Sequence, residues 1–264
     1  MTPTLSYVAL PVASRERPDV TPEDHLNSHQ VVELKDVTFS YPNFMLGPLT
    51  LTIHAGDRYA LVGRNGAGKT TLLGILAGQR ATAEGRIVFK GIERCFPDTA
   101  VKQHVAFVTS EVLGCPWMTV RAHFGFLASF YEHWSMDNAN SLAQAMELPL
   151  DKPLQALSRG NALKLALCAA WGQQADLLLL DEPTAGLDPL ARLELLTQLS
   201  VYLEQRSHVA IVFATHVLED LEGLAVTHLL ALREGRGRCE ALERGAIVED
   251  VRSKARRFLM EPTP

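Results

Sequence analysis

The chain has 264 residues, of which 47% are hydrophobic and 21% are charged, and 25 basic against 30 acidic side chains give a formal charge of −5. This ordinary globular composition excludes a disordered or fibrous protein, and the length fits one α/β domain with appendages. The acidic balance disfavours a nucleic-acid-binding protein, so we expect no nucleic acid among the partners.

Cysteine spacing and hydropathy indicate a cytoplasmic chain. The four cysteines are far apart and lack a metal-binding spacing, which is typical of thiols in a reducing compartment. The N-terminus has no basic segment before its short apolar stretch, and is therefore a poor signal peptide. No uncharged apolar run approaches the ~18–20 residues that a membrane-spanning helix needs. We expect a soluble chain and, if it acts at a membrane, a separate polypeptide that supplies the membrane part.

In chain order, the pattern predicts a flexible arm, a β-rich region, a helical region and an alternating α/β region. Residues 1–30 are rich in Pro, Ser, Thr and charge, which predicts the flexible N-terminal arm. Short β-forming segments predict strands over 31–34, 37–39, 49–53 and 59–62, with turns at Gly47-Pro48 and at 55–57. Helical spacing dominates from about Thr119 to Trp171. Beyond it, predicted strands over 177–180, 209–214 and 228–232 alternate with predicted helices over 189–205 and 217–224. This alternation predicts a parallel sheet with crossover helices.

The strongest motif is the glycine-rich segment 63–70, which matches G-x-x-x-x-G-K-[ST] between a predicted strand and a helix predicted over 69–77. Glycines are needed here because backbone N–H groups must wrap closely around phosphate oxygens. The helix N-terminus adds its dipole, Lys69 a positive charge and Thr70 a hydroxyl for Mg²⁺. The segment predicts a nucleoside triphosphate site. The predicted binding residues are Gly63, Asn65, Gly66, Ala67, Gly68, Lys69, Thr70 and Thr71.

A second element supplies carboxylates. The apolar segment 177–180 is followed by Asp181 and Glu182. A buried parallel strand delivers its last residues to the carboxyl edge of the sheet, where ligands bind in α/β proteins. Such strands often end in solvated acids, but beside a phosphate-binding loop a functional interpretation is favoured. Asp181 is the predicted Mg²⁺ ligand, through its water shell, and Glu182 the predicted general base.

The ordered series of motifs resembles the ATP-binding-cassette (ABC) ATPases over about residues 31 to 232. By itself Ser158, in the segment 157–161, could be a simple helix N-cap. The resemblance instead implies that 157–161 is the signature motif, with Ser158 and Gly160 as phosphate contacts, and that 185–188, ending in Asp188, is the D-loop. It also implies that His216 is the switch histidine and that Tyr41 stacks on adenine.

The resemblance implies a P-loop NTPase core with a parallel sheet, an N-terminal antiparallel β subdomain and a helical subdomain at about 110–165. The ATPase domain would span 31–240 and a tail 241–264. Two departures from the family pattern stand out. Arg159 and Asn161 occupy signature positions where Gly and Gln are commonest. Ser110 falls at the Q-loop glutamine, and because its side chain is short and Glu111 only partly substitutes, metal contact or coupling to a partner is expected to be altered.

The function implied by the resemblance is that of the nucleotide-binding subunit of an ABC transporter, using ATP and Mg²⁺. The segment 127–134 is similar to ABC-2-type exporters. The implied partners are a second copy or a homologous ABC subunit in a head-to-tail dimer, and a separately encoded transmembrane permease, which places the chain on the cytoplasmic face of the membrane. Each ATP would lie between Lys69 and Thr70 of one chain and Ser158 and Gly160 of the other. A soluble ABC ATPase in iron–sulfur-type assembly and a slow nucleotide-gated regulator remain open alternatives.

Two further segments allow more than one interpretation. The aromatic residues at 124–134 either pack a helical subdomain or partly receive a helix from a membrane partner. They are Phe124, Phe126, Phe130, Tyr131 and Trp134. The basic segment 252–260 predicts a solvated terminal helix in preference to a membrane-surface anchor.

Overall fold

The computed structural model describes residues 29–94, 99–109, 114–221, 224–243 and 248–260. Its strands are β1 (Gln30–Tyr41), β2 (Phe44–His54), β3 (Arg58–Gly63), β4 (Glu84–Phe89), β5 (Ile92–Glu93), β6 (Val105–Val108), β7 (Leu177–Asp181), β8 (Ala210–Ala214), β9 (His228–Arg233) and β10 (Arg236–Ala241). Its helices are α1 (Lys69–Leu76), α2 (Thr99–Lys102), α3 (Val120–Ala128), α4 (Met136–Ala145), α5 (Arg159–Gln173), α6 (Pro189–Gln205) and α7 (Val248–Met260), with 3₁₀ turns at Leu154–Ala156 and Leu218–Leu221.

The central sheet has the strand order β10-β9-β3-β8-β7-β6. Neighbours from β9 to β6 are parallel, and only the edge strand β10 is antiparallel to its neighbour. Along β7, Leu177 and Leu179 pack into the apolar cluster on one face, while Leu178 and Leu180 pack into the cluster on the other. A strand buried on both faces must be apolar throughout, which explains the leucine run. The predicted parallel sheet is confirmed.

Each face of this sheet is covered by a different layer. On one face, α1 packs between the central sheet and an antiparallel sheet of order β2-β1-β4-β5. On the other face, α3, α4 and α5 share one continuous core with α6 and α7. The predicted fold class is therefore confirmed: an α/β P-loop core with an antiparallel β subdomain and a helical subdomain. No helix within the described ranges is long and apolar enough to cross a membrane.

The two strands predicted over 31–34 and 37–39 are a single strand, β1. The pairing register with β2 shifts between Leu34 and Val37, and Asp36 has a left-handed φ of 50°. Thr50 holds this bulge, because its hydroxyl accepts from the Asp36 N–H at 3.1 Å and donates to the Asp36 carboxylate at 3.1 Å. The interrupted hydrophobic alternation is thus the signature of a β-bulge within one strand.

The turn predicted at Gly47-Pro48 is also wrong, because both residues lie inside β2. The β1–β2 hairpin turns at residues 42–43, with Tyr41 paired to Phe44. Gly47 is required for close packing: a Cβ there would lie 2.2 Å from the Val37 carbonyl oxygen, and its φ is +99°. Its N–H donates to the Gly235 carbonyl at 2.8 Å, which joins the β subdomain to the β9–β10 turn.

Two helical predictions near the C-terminus need correction. Residues 218–221 form a 3₁₀ turn and not part of the α-helix expected over 217–224, of which residues 222 and 223 lie outside the described ranges. The basic tail does form a helix, α7, but that helix is not fully solvated, because Val251 and Ala255 are buried in the main core. Its outer face carries the basic residues, among them Arg252, which is paired with Glu249 at 3.2 Å. The residues of the predicted N-terminal arm before His29 lie outside the described ranges.

Candidate nucleotide-binding site

The glycine-rich loop connects β3, which ends at Gly63, to α1, which begins at Lys69. Gly68 is the N-cap of α1 with φ +106°, and no side chain caps the helix there. A Cβ on Gly68 would lie 2.8 Å from a ring carbon of Phe44, so the loop requires glycine at this position. The first N–H groups of α1 therefore face the loop without a side-chain acceptor, in the field of the positive end of the helix dipole. This arrangement is suited to a phosphate group.

Lys69 lies across the mouth of this loop and is only 6% exposed. Its ammonium donates to the Gly63 carbonyl oxygen at 2.9 Å. The same Nζ atom lies 3.4 Å from Oε1 of Glu182, which comes from the end of the β7 strand. The loop and the carboxylate edge, 113 residues apart in sequence, thus meet at one lysine.

The two predicted carboxylates lie where the parallel register places them. Asp181, the last residue of β7, is paired with Ala214 of β8. The next residue, Glu182, donates its N–H to the Ala214 carbonyl at 3.0 Å and has a left-handed φ of 47°. Such a backbone conformation is costly for a residue other than glycine and persists only where the surrounding structure holds it. It turns the Glu182 side chain towards Lys69.

His216 supplies the other neighbour of Glu182. Its Nδ1 atom lies 3.1 Å from Oε2 of Glu182, so the carboxylate is held between the histidine and Lys69. The ring is about half exposed. His216 follows β8 by two residues, and its role as the switch histidine stays a prediction.

Thr70 and Asp181 are the predicted Mg²⁺ donors, and their side chains are joined by a hydrogen bond. Burial raises the pKa of the Asp181 carboxyl, and a hydrogen bond with the Thr70 side chain opposes that rise. A hydroxyl and a carboxylate are ligands that Mg²⁺ accepts, and Mg²⁺ is commonly held by one or two protein oxygens together with water and substrate phosphates. No cluster of three or more His, Cys, Asp or Glu side chains suited to a metal occurs in the part of the chain that the structure describes. The residues present therefore fit Mg²⁺ brought with a phosphate ligand.

Lys69, Thr70, Asp181 and Glu182 line one open cavity of about 690 Å³. The predicted site residues in its wall are Tyr41, Asn65, Gly66, Gly68, Lys69, Thr70, Thr71, Asp181 and Glu182. Phe44, Arg64, Arg159 and Ala185 complete the wall. Gly63 and Ala67 are buried in the loop itself, with a Cβ on Gly63 lying 3.1 Å from the Ala67 Cβ. The structure thus brings the loop, the carboxylates and the aromatic residue together.

Besides Gly63, Ala67 and His216, three more predicted site residues lie outside the wall of this cavity. Ser158 is the N-cap of α5, with its hydroxyl accepting from the Asn161 N–H at 3.3 Å. Asp188 is the N-cap of α6, accepting from Leu190 at 3.0 Å and from Ala191 at 3.1 Å. Gly160 packs beside Leu187 of the D-loop. In this single chain, therefore, Ser158 and Gly160 do not reach the cavity, and their role as phosphate contacts stays a prediction. Ser110 and Glu111, the predicted Q-loop positions, lie outside the described residues.

Tyr41 stands at the end of β1 with its side chain at the cavity rim. The residue is 41% exposed, and its ring packs edge-on against Phe39 with centroids 4.9 Å apart. The Arg80 guanidinium lies 5.6 Å from the Tyr41 ring centroid, within the range of a cation–π contact. These neighbours fix the ring while leaving part of it accessible to a base.

We expect Tyr41→Ala to weaken ATP binding, because stacking of a base on an aromatic ring contributes roughly 1 to 3 kcal/mol in nucleic-acid complexes. Tyr41→Phe and Tyr41→Trp keep an aromatic face and are expected to bind ATP like the parent chain. Calorimetric titration of the four proteins with ATP checks this. Equal affinity in all of them would mean that the ring serves only for packing.

A buried network behind the site was not found from the sequence. Asp220 is 0% exposed; its Oδ2 accepts from Thr184 at 2.5 Å, and its Oδ1 from Arg192 at 2.5 Å. The Thr215 hydroxyl lies a further 3.3 Å from Oδ2. Thr184 follows Glu182 closely and Thr215 directly precedes His216, so one carboxylate ties both segments together. In the sequence Asp220 is an ordinary acidic residue, and only the structure shows that it is buried.

Asp220→Asn is expected to lower the free energy of unfolding by about 3 kcal/mol. Removing one partner of a buried ion pair costs ~3–5 kcal/mol, and the partial exposure of Arg192 favours the lower end. Urea unfolding followed by circular dichroism measures the difference. Asp151→Asn is the matched control, since Asp151 pairs with Arg121 at 3.1 Å on the surface and should change stability by less than about 0.5 kcal/mol. Equal effects of the two substitutions would show that solvent readily replaces the Asp220 contacts.

Comparison with known proteins agrees with this geometry. The family model described as ABC transporter matches residues 46–185. The ABC transporter ATP-binding protein YtrB of Bacillus subtilis is 31% identical over 193 residues, which are 73% of this chain and 65% of that protein. The nickel import ATP-binding protein NikO of Rhodobacter capsulatus is 35% identical over 222 residues, which are 77% of this chain and 86% of that protein.

A solved structure described as the ATP binding subunit of an ABC transporter superposes with a TM-score of 0.73 at 25% identity, covering 85% of this chain and 99% of that one. The chain spans slightly less than two thirds of YtrB and much smaller shares, 30% and 4%, of two other curated relatives. The match to the family model, which covers more than half of the chain, and the extensive match to NikO decide the family. The chain belongs to the ABC transporter family, as an ATP-binding domain with the P-loop ATPase fold.

Proposed function

We propose that the chain is the nucleotide-binding subunit of an ABC exporter, which hydrolyses ATP and drives a separate membrane subunit through ATP-dependent dimerisation. The observation that carries this proposal is the meeting of Lys69 and Glu182, 3.4 Å apart, in one cavity between a phosphate-binding loop and the end of a buried strand. Phosphate binding and water activation need these two groups side by side.

The binding step uses the loop first. The N–H groups at the start of α1 would surround the β- and γ-phosphates, and the Lys69 ammonium would contact them, since charge-assisted hydrogen bonds are the stronger kind. In the structure this ammonium contacts the Gly63 carbonyl oxygen and the Glu182 carboxylate. As Lys69 turns to the phosphates, Glu182 is released from its ion pair. At the other end of the cavity, Tyr41 would stack on the base.

The hydrolytic step uses Glu182 as the base. Its carboxylate would accept a proton as the water oxygen bonds to the γ-phosphorus and the bond from that phosphorus to the ADP oxygen breaks. His216, with its Nδ1 atom 3.1 Å from the carboxylate, would hold the base in position. Thr70 and Asp181 would hold Mg²⁺, which neutralises negative charge on the phosphates.

A head-to-tail dimer with a second copy or a homologous ABC subunit would complete each site. Ser158, at the start of α5, lies outside the cavity of its own chain, and so does Gly160. A helix N-terminus is suited to an anion, and one such terminus leaves part of the γ-phosphate charge uncompensated. In the dimer, Ser158 and Gly160 of one chain would contact the nucleotide of the other.

A membrane partner is proposed to dock beside the helical subdomain. A groove of about 280 Å³ runs between the end of β6 and helices α3 and α5, with His123, Leu127 and Tyr131 in its wall. On α3 and just after it, Phe126 and Phe130 are 43% and 58% exposed, with ring centroids 4.9 Å apart. Apolar surface of this kind supports insertion of a helix from a separately encoded permease, with the chain on the cytoplasmic face of the membrane.

The segment 127–134 supports export as the direction, although NikO is by name an import protein. The alternative, a soluble ABC ATPase in assembly, differs in one measurable respect: it has no multi-spanning partner. Purification of the tagged chain from detergent-solubilised membranes of its own host, with mass spectrometry of what is retained, separates the two. A multi-spanning partner retained in stoichiometric amount is expected. Recovery of the chain without one would contradict the transporter proposal.

The double variant Phe126→Ser/Phe130→Ser sharpens this experiment. It is expected to lose the membrane partner while keeping ATP binding, because neither ring is part of the nucleotide cavity wall. Met260→Ser, which also removes an exposed apolar side chain, is the control that should retain the partner. Transport into inside-out vesicles that contain the purified complex then tests the direction. If the complex is an exporter, ATP added outside should drive accumulation of the transported substrate inside the vesicles.

A further inference from the structure

Arg159 is the residue of the signature segment that the proposed function leaves unused. It is the first residue of α5, between Ser158 and Gly160. Although these two neighbours lie outside the nucleotide cavity of their own chain, Arg159 itself forms part of its wall. The same wall contains Lys69, Asp181 and Glu182. One residue of α5 therefore reaches the nucleotide cavity in the same polypeptide.

The path of this side chain crosses the D-loop. A Cβ built on Gly186 would lie 2.6 Å from Nη1 of Arg159, so the guanidinium occupies the space that a larger D-loop residue would fill. Gly186 also has a φ of +75°, a conformation that side chains other than glycine rarely adopt. Ala185, beside it, is in the cavity wall. The guanidinium thus lies at the end of the cavity that contains the carboxylates. Tyr41 and Phe44 line the part of the wall that the β subdomain forms.

The charges of the cavity wall indicate what the guanidinium contacts. Lys69 is already engaged by Gly63 and Glu182. Arg159, in contrast, forms no hydrogen bond or ion pair with any residue in the ranges that the structure describes. A planar guanidinium carries five N–H donors and matches phosphate with two parallel hydrogen bonds. The Arg159 guanidinium lies at the same end of the cavity as Glu182. In the proposed reaction the γ-phosphate occupies this end.

We propose that Arg159 binds the γ-phosphate of the nucleotide held in its own chain and thereby makes the cavity favour ATP over ADP. The inference rests on the proposed function and adds a binding residue to it. Because Arg159 begins α5, this contact also links the position of the helical subdomain to the nucleotide of the same chain. ADP, which lacks the γ-phosphate, would leave Arg159 without this ligand.

The test compares two nucleotides on one protein. The affinities of the full chain for the non-hydrolysable ATP analogue AMP-PNP and for ADP are measured by calorimetry with Mg²⁺, at concentrations where sedimentation shows a monomer. Arg159→Gln is expected to lower the affinity for AMP-PNP about tenfold, which is the scale of a hydrogen bond to a charged group. The affinity for ADP should fall by less than about twofold. Arg159→Lys should retain part of the preference, because it keeps the charge and loses the planar pair of donors. Arg121→Gln, on the same subdomain and paired with Asp151 on the surface, is the matched control.

Each result of this comparison either supports or overturns the contact between Arg159 and the γ-phosphate. Selective loss of AMP-PNP affinity in the monomer supports the contact within one chain. An unchanged ratio of the two affinities, while both nucleotides still bind, overturns this inference and leaves the proposed function standing. A loss that occurs only at concentrations where dimers form also overturns it, because Arg159 would then act across the interface. Failure of the parent chain to bind either nucleotide would overturn the proposed function as well.

Discussion

Glu182→Gln is expected to slow ATP hydrolysis by about 10² to 10⁴, the contribution typical of a general base, while ATP binding is kept. The amide cannot take the proton from water, yet it has nearly the same shape and fills the same place between Lys69 and His216. Because ATP then persists, the variant should accumulate as an ATP-bound dimer. Phosphate release measures turnover, and size exclusion with and without ATP measures the dimer.

Glu249→Gln is the matched control for this substitution. Glu249 lies on α7, paired with Arg252 at 3.2 Å, and its replacement should leave turnover unchanged. If Glu182→Gln hydrolyses ATP within a few-fold of the parent chain, Glu182 is not the base. Turnover that falls together with ATP affinity would instead mean that the ion pair with Lys69 organises the loop and that catalysis is lost through binding.

Lys69→Ala should abolish most of the affinity for ATP. Lys69 is almost fully buried at the phosphate-binding loop, and its removal leaves the bound phosphates without their main countercharge in a partly desolvated site. Loss of a hydrogen bond to a charged group costs ~1.5–3 kcal/mol, so the affinity is expected to fall by at least about tenfold. Titration with a fluorescent ATP analogue provides the measurement.

Lys90→Ala is the control for the lysine substitution. The Lys90 ammonium lies 2.6 Å from the Asp176 carboxylate, and neither residue is part of the cavity wall. It should bind ATP like the parent chain. Near-normal nucleotide binding by Lys69→Ala would contradict the assignment of this loop as the phosphate site. The unfolding curves of both variants should be compared as well, because the removal of Lys69 also leaves the Glu182 carboxylate without its cation.

The local elements of this protein could be predicted because their determinants are adjacent in sequence. The segment 63–70 combines backbone freedom at glycine, a helix start and a lysine within eight residues, and no distant contact is needed to recognise it. The leucine run of β7 likewise predicts a strand that is buried on both faces, with Asp181 and Glu182 at its end. Predictions failed where one residue pattern fits two backbone shapes, as at the bulge of β1 and at Gly47-Pro48 in β2.

The sequence alone predicted the parallel sheet with crossover helices, the phosphate-binding loop and the two carboxylates at a strand end, since hydrophobic periodicity and turn chemistry are short-range properties. The antiparallel β subdomain and the helical subdomain were implied by the family resemblance. The tertiary structure decided which groups meet. It placed Glu182 between Lys69 and His216, buried Asp220 against Thr184 and directed Arg159 over Gly186. These contacts join residues from different strands and helices, and their distances follow from the register of β3, β7 and β8 and from the packing of α5 on that sheet. Register and packing are settled by the whole core together, and so no single segment encodes them.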